Sequence, residues 1–116
     1  MAWQTDSYVN PVMWEIGVVA VRVLGVDALR AGYRVINLNA NGGTIYHDYT
    51  NMVSVLSPDF IMPGGWLEDV GEWQTVHHGE VWLLSDIVGQ DVRVEEIVAN
   101  EKPPGWEPKP KEWWRL

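Results

Sequence analysis

The chain has no cysteine, a single phenylalanine, and only 8 Lys and Arg against 16 Asp and Glu. Without cysteine there is no disulfide framework, no thiolate metal site and no cysteine nucleophile. The shortage of cations gives a net charge of −8 with neutral His. That balance argues against nucleic acid as the main ligand, because phosphates reward clustered Lys and Arg. Long apolar runs are missing as well. The most apolar stretch, 12–29, is interrupted by Glu15, Arg22 and Asp27 and contains Gly17 and Gly25. A membrane span needs about 20 mostly apolar residues, so this stretch reads as buried core. The first twelve residues carry Asp6 and neither Lys nor Arg, so the basic start of an export signal is absent. Synthesis in the cytoplasm is the expectation.

What the chain does have is enough apolar material for one core. It is 116 residues long and 47% hydrophobic, with 17 Val and eight Trp. That length suits a single domain, and the composition excludes global disorder. Three regions are expected: an extended N-terminal arm over 1–11 with Trp3 and Tyr8 as anchors, one compact domain over 12–100, and a C-terminal arm over 101–116.

Within the domain, the β-branched run Val18, Val19, Val21 and Val23 favours a strand over 16–24. Asn10 and Pro11 are also suited to start a helix there, so both readings stay open. Residues 27–32 read as one short helical turn, capped by Asp27 and closed by Gly32. Strands are expected over 33–39 and 44–56, with Asn41-Gly42-Gly43 as a tight hairpin turn between them. Ser57-Pro58-Asp59 is a second turn, and Pro63-Gly64-Gly65 is a loop that projects Trp66. Residues 67–75 read as an irregular helical piece. Two more strands are expected over 76–85 and 91–99. In the last, Asp91, Arg93 and Glu95 share one face and Val92 and Val94 the other, with a bulge where Glu95-Glu96 interrupts the alternation. The sum is mainly β: a small β-barrel or sandwich of about five short strands with one short helix and extended terminal arms. The alternative is an α+β domain with an N-terminal helix packed on an antiparallel sheet. No internal repeat of about 20–50 residues is present.

Composition changes after Asn100. Residues 101–116 hold four of the seven Pro, three of the eight Trp and four of the eight cations. Their net charge is +1, which leaves −9 on residues 1–100. Pro fixes φ and favours an extended polyproline conformation, and a stiff segment loses less entropy on docking than a floppy one. Disordered tails are poor in aromatics, so three Trp point to docking on this domain or on a neighbour. The expected partner-binding residues are Trp106, Trp113, Trp114 and Leu116 as apolar anchors, with Lys109, Lys111 and Arg115 pairing to acidic surface.

Patterns for catalysis are weak. His77 and His78 are adjacent, so on a strand they point to opposite faces and do not share an ion; His47 and Glu80 lie elsewhere in sequence. Glu68, Asp69 and Glu72, like Glu95 and Glu96, read as solvated acidic faces rather than acid–base pairs. Ser7, Ser54, Ser57 and Ser85 fall in no nucleophile-elbow pattern, and no Gly-Lys-Ser/Thr follows Gly43. Trp66, Trp73 and Trp82 are candidates for stacking on a sugar, although Trp82, between Val81 and Leu83, reads as core. No metal and no cofactor are expected.

The leading expectation is a non-enzymatic structural or assembly subunit that contacts neighbouring subunits through its arms, as in a viral or phage particle. Its partner is a protein or further copies of itself, with neither nucleic acid nor membrane. Two alternatives stand beside it: a small acidic inhibitor or binding protein for a basic partner, and a small ligand- or sugar-binding domain or enzyme with a pocket near Trp66 and His77.

Overall fold

The computed structural model describes residues 7–70 and 76–99. The C-terminal arm, with Trp106, Lys109, Lys111, Trp113, Trp114, Arg115 and Leu116, lies outside the described residues, as do residues 1–6, Glu72 and Trp73. The described chain forms eight strands: β1 (Ser7–Ile16), β2 (Val21–Leu24), β3 (Arg30–Asn37), β4 (Ile45–Asp48), β5 (Asp59–Ile61), β6 (Trp66–Val70), β7 (Val81–Ser85) and β8 (Gln90–Ala99). They make two antiparallel four-stranded sheets, ordered β1-β8-β3-β6 and β2-β7-β4-β5, and no helix is present among the described residues. The sheets face each other as a β-sandwich, not a closed barrel. No described helix is long and apolar enough to cross a membrane.

The mainly β class follows from the sequence, but several elements differ from expectation. Among the described residues there are eight strands rather than about five. The stretch 12–24 is neither one strand nor a helix: β1 runs through Ile16, the chain bends over 17–20, and β2 begins at Val21 in the other sheet. Residues 7–11 of the expected N-terminal arm are the first half of β1, paired with β8. The expected helical turn at 27–32 is a tight turn. The Asp27 carboxylate accepts the Leu29 N–H at 2.9 Å and its carbonyl accepts the Arg30 N–H at 3.2 Å, after which β3 starts at once. Gly32 ends no helix. It lies inside β3 where an added Cβ would meet Val70 Cγ1 at 2.6 Å and the Asp69 carbonyl at 2.8 Å, so it permits close approach of β6. The expected helical piece at 67–75 is, as far as Val70, the strand β6.

The Asn41-Gly42-Gly43 segment joins β3 to β4, which belong to opposite sheets, so it is a crossover and not a hairpin. Neither glycine has positive φ. Both are needed for space: a Cβ on Gly42 would stand 2.1 Å from Gln90 Oε1, and one on Gly43 2.3 Å from Asp86 Oδ1. The link between β7 and β8 likewise crosses between sheets. The strand expected over 44–56 is shorter, ending at Asp48.

In each sheet alternate side chains enter one core. Ile16, Tyr33, Val35 and Val92 from the first sheet and Ile45, Val81 and Leu83 from the second are fully buried. Each such apolar side chain stabilises the fold by about 1.5–3 kcal/mol. On β8, Val92, Val94, Glu96 and Val98 fall on the inner face and Asp91, Arg93, Glu95 and Ile97 on the outer one. The bulge expected at Glu95-Glu96 is absent: both residues pair in register with β1 and β3, and the register shift lies on β3 between Arg30 and Gly32, opposite Val98 and Ile97. Glu96 keeps the alternation and turns inward.

That inward acid meets a buried cation. The Arg30 side chain is completely buried, and its Nε donates to Glu96 Oε2 at 2.8 Å. Nη1 donates to the carbonyls of His77 at 3.1 Å and Gly79 at 2.8 Å, and Nη2 donates to the carbonyl of Gly25. A guanidinium offers five donors and no acceptor, so a lone carboxylate leaves most of it unsatisfied. Three loop carbonyls take three more of the donors. Arg30→Met strands Glu96 and those carbonyls, and should lower stability by about 3–5 kcal/mol. The change is read as a shift of the urea midpoint at unchanged slope. Glu96→Gln keeps an acceptor and should cost less.

Candidate functional site: a buried tyrosine–histidine cluster and an open aromatic face

Two groups of side chains could carry function. The first forms at the Asp48 end of β4. In Ile45-Tyr46-His47-Asp48 the strand alternates, so Ile45 and His47 face the core while Tyr46 and Asp48 face out. His47 Nε2 lies 2.8 Å from the Tyr33 hydroxyl, and both side chains are buried. On the other side of the ring, Nδ1 has no hydrogen bond and stands 3.8 Å from Asp59 Oδ2. Tyr49 meets His47 edge-on at 5.2 Å between ring centroids and stacks on His77 at 3.7 Å. His77 is fixed at both ends. Its backbone N–H donates to Asp69 Oδ2 at 2.8 Å, and its Nε2 donates to the Glu80 carbonyl at 2.8 Å.

The fold therefore brings His47 and His77 together through Tyr49, a junction that sequence spacing did not reveal. Burial lowers the pKa of His47, against the opposing pull of Asp59 and Asp48, and keeps it neutral. Burial, with the neighbouring Tyr49, raises the pKa of Tyr33 well above the ordinary tyrosine value, so its hydroxyl keeps its proton. A carboxylate, an imidazole and a hydroxyl stand in a row, but the hydroxyl is sealed in the core. The row orients side chains and offers no accessible nucleophile. Among the described residues, no three His, Asp or Glu side chains form a set able to hold a metal ion. His77 and His78 sit in the loop before β7, not on a strand.

Of the acids expected on solvated faces, Glu68 is exposed, whereas Asp69, Glu95 and Glu96 are partly or largely buried. Glu68 lies opposite Arg34 on the outer face, whereas Asp69 faces in toward His77. Glu95 is largely buried between Arg34 Nε at 2.8 Å and Arg93 Nε at 3.0 Å, and Glu96 is held by Arg30. Trp66 is 63% exposed beside Ile36, on the face of β6 opposite to Asp69, so it shares no pocket with His77.

The second group is the outer face of the β2-β7-β4-β5 sheet. Register sets three rows across it: Arg22, Trp82 and Asp48; Leu84, Tyr46 and Phe60; and, just beyond the strands, Asp86, Thr44 and Met62. Trp82 is thus not core. Val81 and Leu83 point inward, and Trp82 lies outward with its Nε1 donating to Glu80 Oε1 at 3.1 Å. Glu80 also accepts from Arg22 Nη1 at 2.9 Å, and these two bonds hold its carboxyl below the usual range. The loop before β5 comes up beside the face, where Ser57 N–H donates to the Ser54 carbonyl at 2.9 Å. Together they enclose an open groove of about 290 Å³ lined by Thr44, Tyr46, Val55, Ser57, Phe60 and Met62. Phe60, Met62 and Val55 are each more than half exposed.

Comparison with protein-family models, curated proteins and solved structures yields no match.

The neutral, buried His47 and the half-buried His78, whose pKa burial also lowers, set a pH dependence. The unfolded chain takes up protons near the ordinary value of 6.5 before the folded one does. Stability is therefore full above that value and falls as the pH drops below it. The melting temperature should fall between about pH 7.5 and about pH 5, and His47→Gln should flatten part of that fall. Tyr33→Phe leaves His47 Nε2 buried without its partner and should cost about 1–3 kcal/mol at neutral pH, measured by chemical denaturation.

Proposed function

We propose that this protein is a non-enzymatic assembly subunit, made in the cytoplasm, that joins copies of itself or a companion protein within a larger particle such as a virion. The observation that carries this reading is the outer face of the β2-β7-β4-β5 sheet. Tyr46, Phe60, Leu84 and Met62 form a continuous apolar surface there, and no described element covers it. Exposed contiguous apolar surface on a folded domain marks a contact site. The other sheet presents a different exterior, crossed by the Arg34–Glu95–Arg93 ion pairs. The polar groups best suited to acid–base work, Tyr33 and His47, are spent on holding the core together.

A compact sandwich flanked by two terminal segments suits subunits that clasp neighbours, which is an argument from architecture. A second reading, an acidic binding protein for a basic partner, rests on charge. Residues 1–100 carry −9, and all four of their arginines are already paired with carboxylates.

The test is solution mass against concentration for the full chain and for a chain lacking 103–116. Assembly requires a rise in mass with concentration that the deletion reduces. A full chain that stays monomeric at high concentration ends the self-assembly reading. A salt-sensitive one-to-one complex with a basic protein would then favour the second reading.

A further inference from the structure

We propose that the groove between β4, β5 and the loop before β5 is the seat of residues 101–116 of a second copy of this chain. The inference rests on the assembly reading above and names its receiving surface.

Charge selects the occupant. The chain's three lysines, Lys102, Lys109 and Lys111, all lie in that segment, and Arg115 joins them. In the described body each arginine is within 3.0 Å of a carboxylate: Arg22 of Glu80, Arg30 of Glu96, and both Arg34 and Arg93 of Glu95. Two acids flank the groove and have no such partner. Asp48 reaches Ser57 Oγ at 3.4 Å at one end, and Asp86 accepts the Thr44 N–H at 3.0 Å at the other. No described arginine lies within ion-pair distance of these two. An apolar groove with an acidic rim fits a segment that alternates Trp with Lys and Arg, the indoles on Tyr46, Phe60 and Met62 and the cations on the rim.

Chain direction selects a neighbouring copy. β8 starts at Gln90, whose Oε1 accepts the Gly43 N–H beside the Thr44 end of the groove. It ends at Ala99, and a strand of ten residues spans about 30 Å. β8 also belongs to the sheet opposite to the groove. To reach its own groove the segment must reverse and cross the sheet edge. Pro103, Pro104, Pro108 and Pro110 resist the reversal and favour an onward, extended path.

The test uses full-length chains and two kinds of variant. Phe60→Asp and, separately, Val55→Asp place a charge in the groove at exposed positions, and unchanged melting curves verify the fold. Trp113→Ser with Trp114→Ser weakens the arm. Sedimentation equilibrium should show the wild type associating, and each variant alone at least tenfold weaker. An equimolar mixture of a groove variant and the arm variant should form a heterodimer, because one intact arm and one intact groove remain. Met13→Asp, on the other sheet's outer face, should associate as the wild type does.

Groove variants that associate normally overturn the proposed seat and leave the assembly reading standing. A mixture that stays monomeric overturns docking between copies. A wild type that is monomeric throughout removes the self-assembly reading and this inference with it.

Discussion

A buried guanidinium needs acceptors for its donors, and Arg30 finds four by gathering separate pieces of chain. Glu96 comes from β8, the Gly25 carbonyl from the turn after β2, and the His77 and Gly79 carbonyls from the loop before β7. Both sheets meet at this point. The inward Glu96 is tolerable only because Arg30 is opposite, and the loop carrying His77 is held where its ring can stack on Tyr49. Buried ion pairs of this kind add little net energy compared with a well-packed apolar core. Their removal is costly all the same, so they fix one arrangement of the surrounding segments over its competitors.

The fold class was legible because β-branched residues and period-2 alternation act within a single strand. Val92 and Val94 opposite Asp91, Arg93 and Glu95 needed no knowledge of partners, and the structure keeps that division. Connectivity was less legible. Asn41-Gly42-Gly43 has the composition of a hairpin turn, yet its glycines serve the close approach of Gln90 and Asp86 at a crossing between sheets. Asp27 and Gly32 sit at the right spacing to bound a helical turn, yet the first starts a β-turn and the second makes room for β6. In each case local chemistry admits several backbone solutions, and a long-range neighbour chooses among them.

The candidate site shows the same division. The alternation Ile45-Tyr46-His47-Asp48 places His47 with the apolar residue and Tyr46 with the polar one, a signal carried by the sequence itself. That Tyr33 supplies the hydroxyl depends on a pairing 14 residues apart in the chain. That Tyr49 meets His77 depends on a loop held by Arg30 from 47 residues away, and no spacing encodes that geometry. Trp82 misleads for a simpler reason. Flanked by Val81 and Leu83 it looks buried, but a strand between two inward residues must point its middle side chain outward. The expected anchors of the C-terminal arm lie outside the described residues, so charge and chain direction are the grounds on which the groove is proposed as their seat.

The edges of the sandwich are uneven in a way that bears on how copies meet. β5 is three residues long and β2 is four with a register shift, so the aromatic sheet offers almost no free ladder of N–H and C=O groups. The ten-residue edge β1 carries Pro11 near its middle, where an amide donor is missing. Continuous strand-to-strand growth, the route by which β proteins run into fibres, finds no long template at any of these margins. Copies that meet at these margins find side chains rather than a long backbone ladder, and side-chain shape and charge limit both the number of neighbours and their orientation.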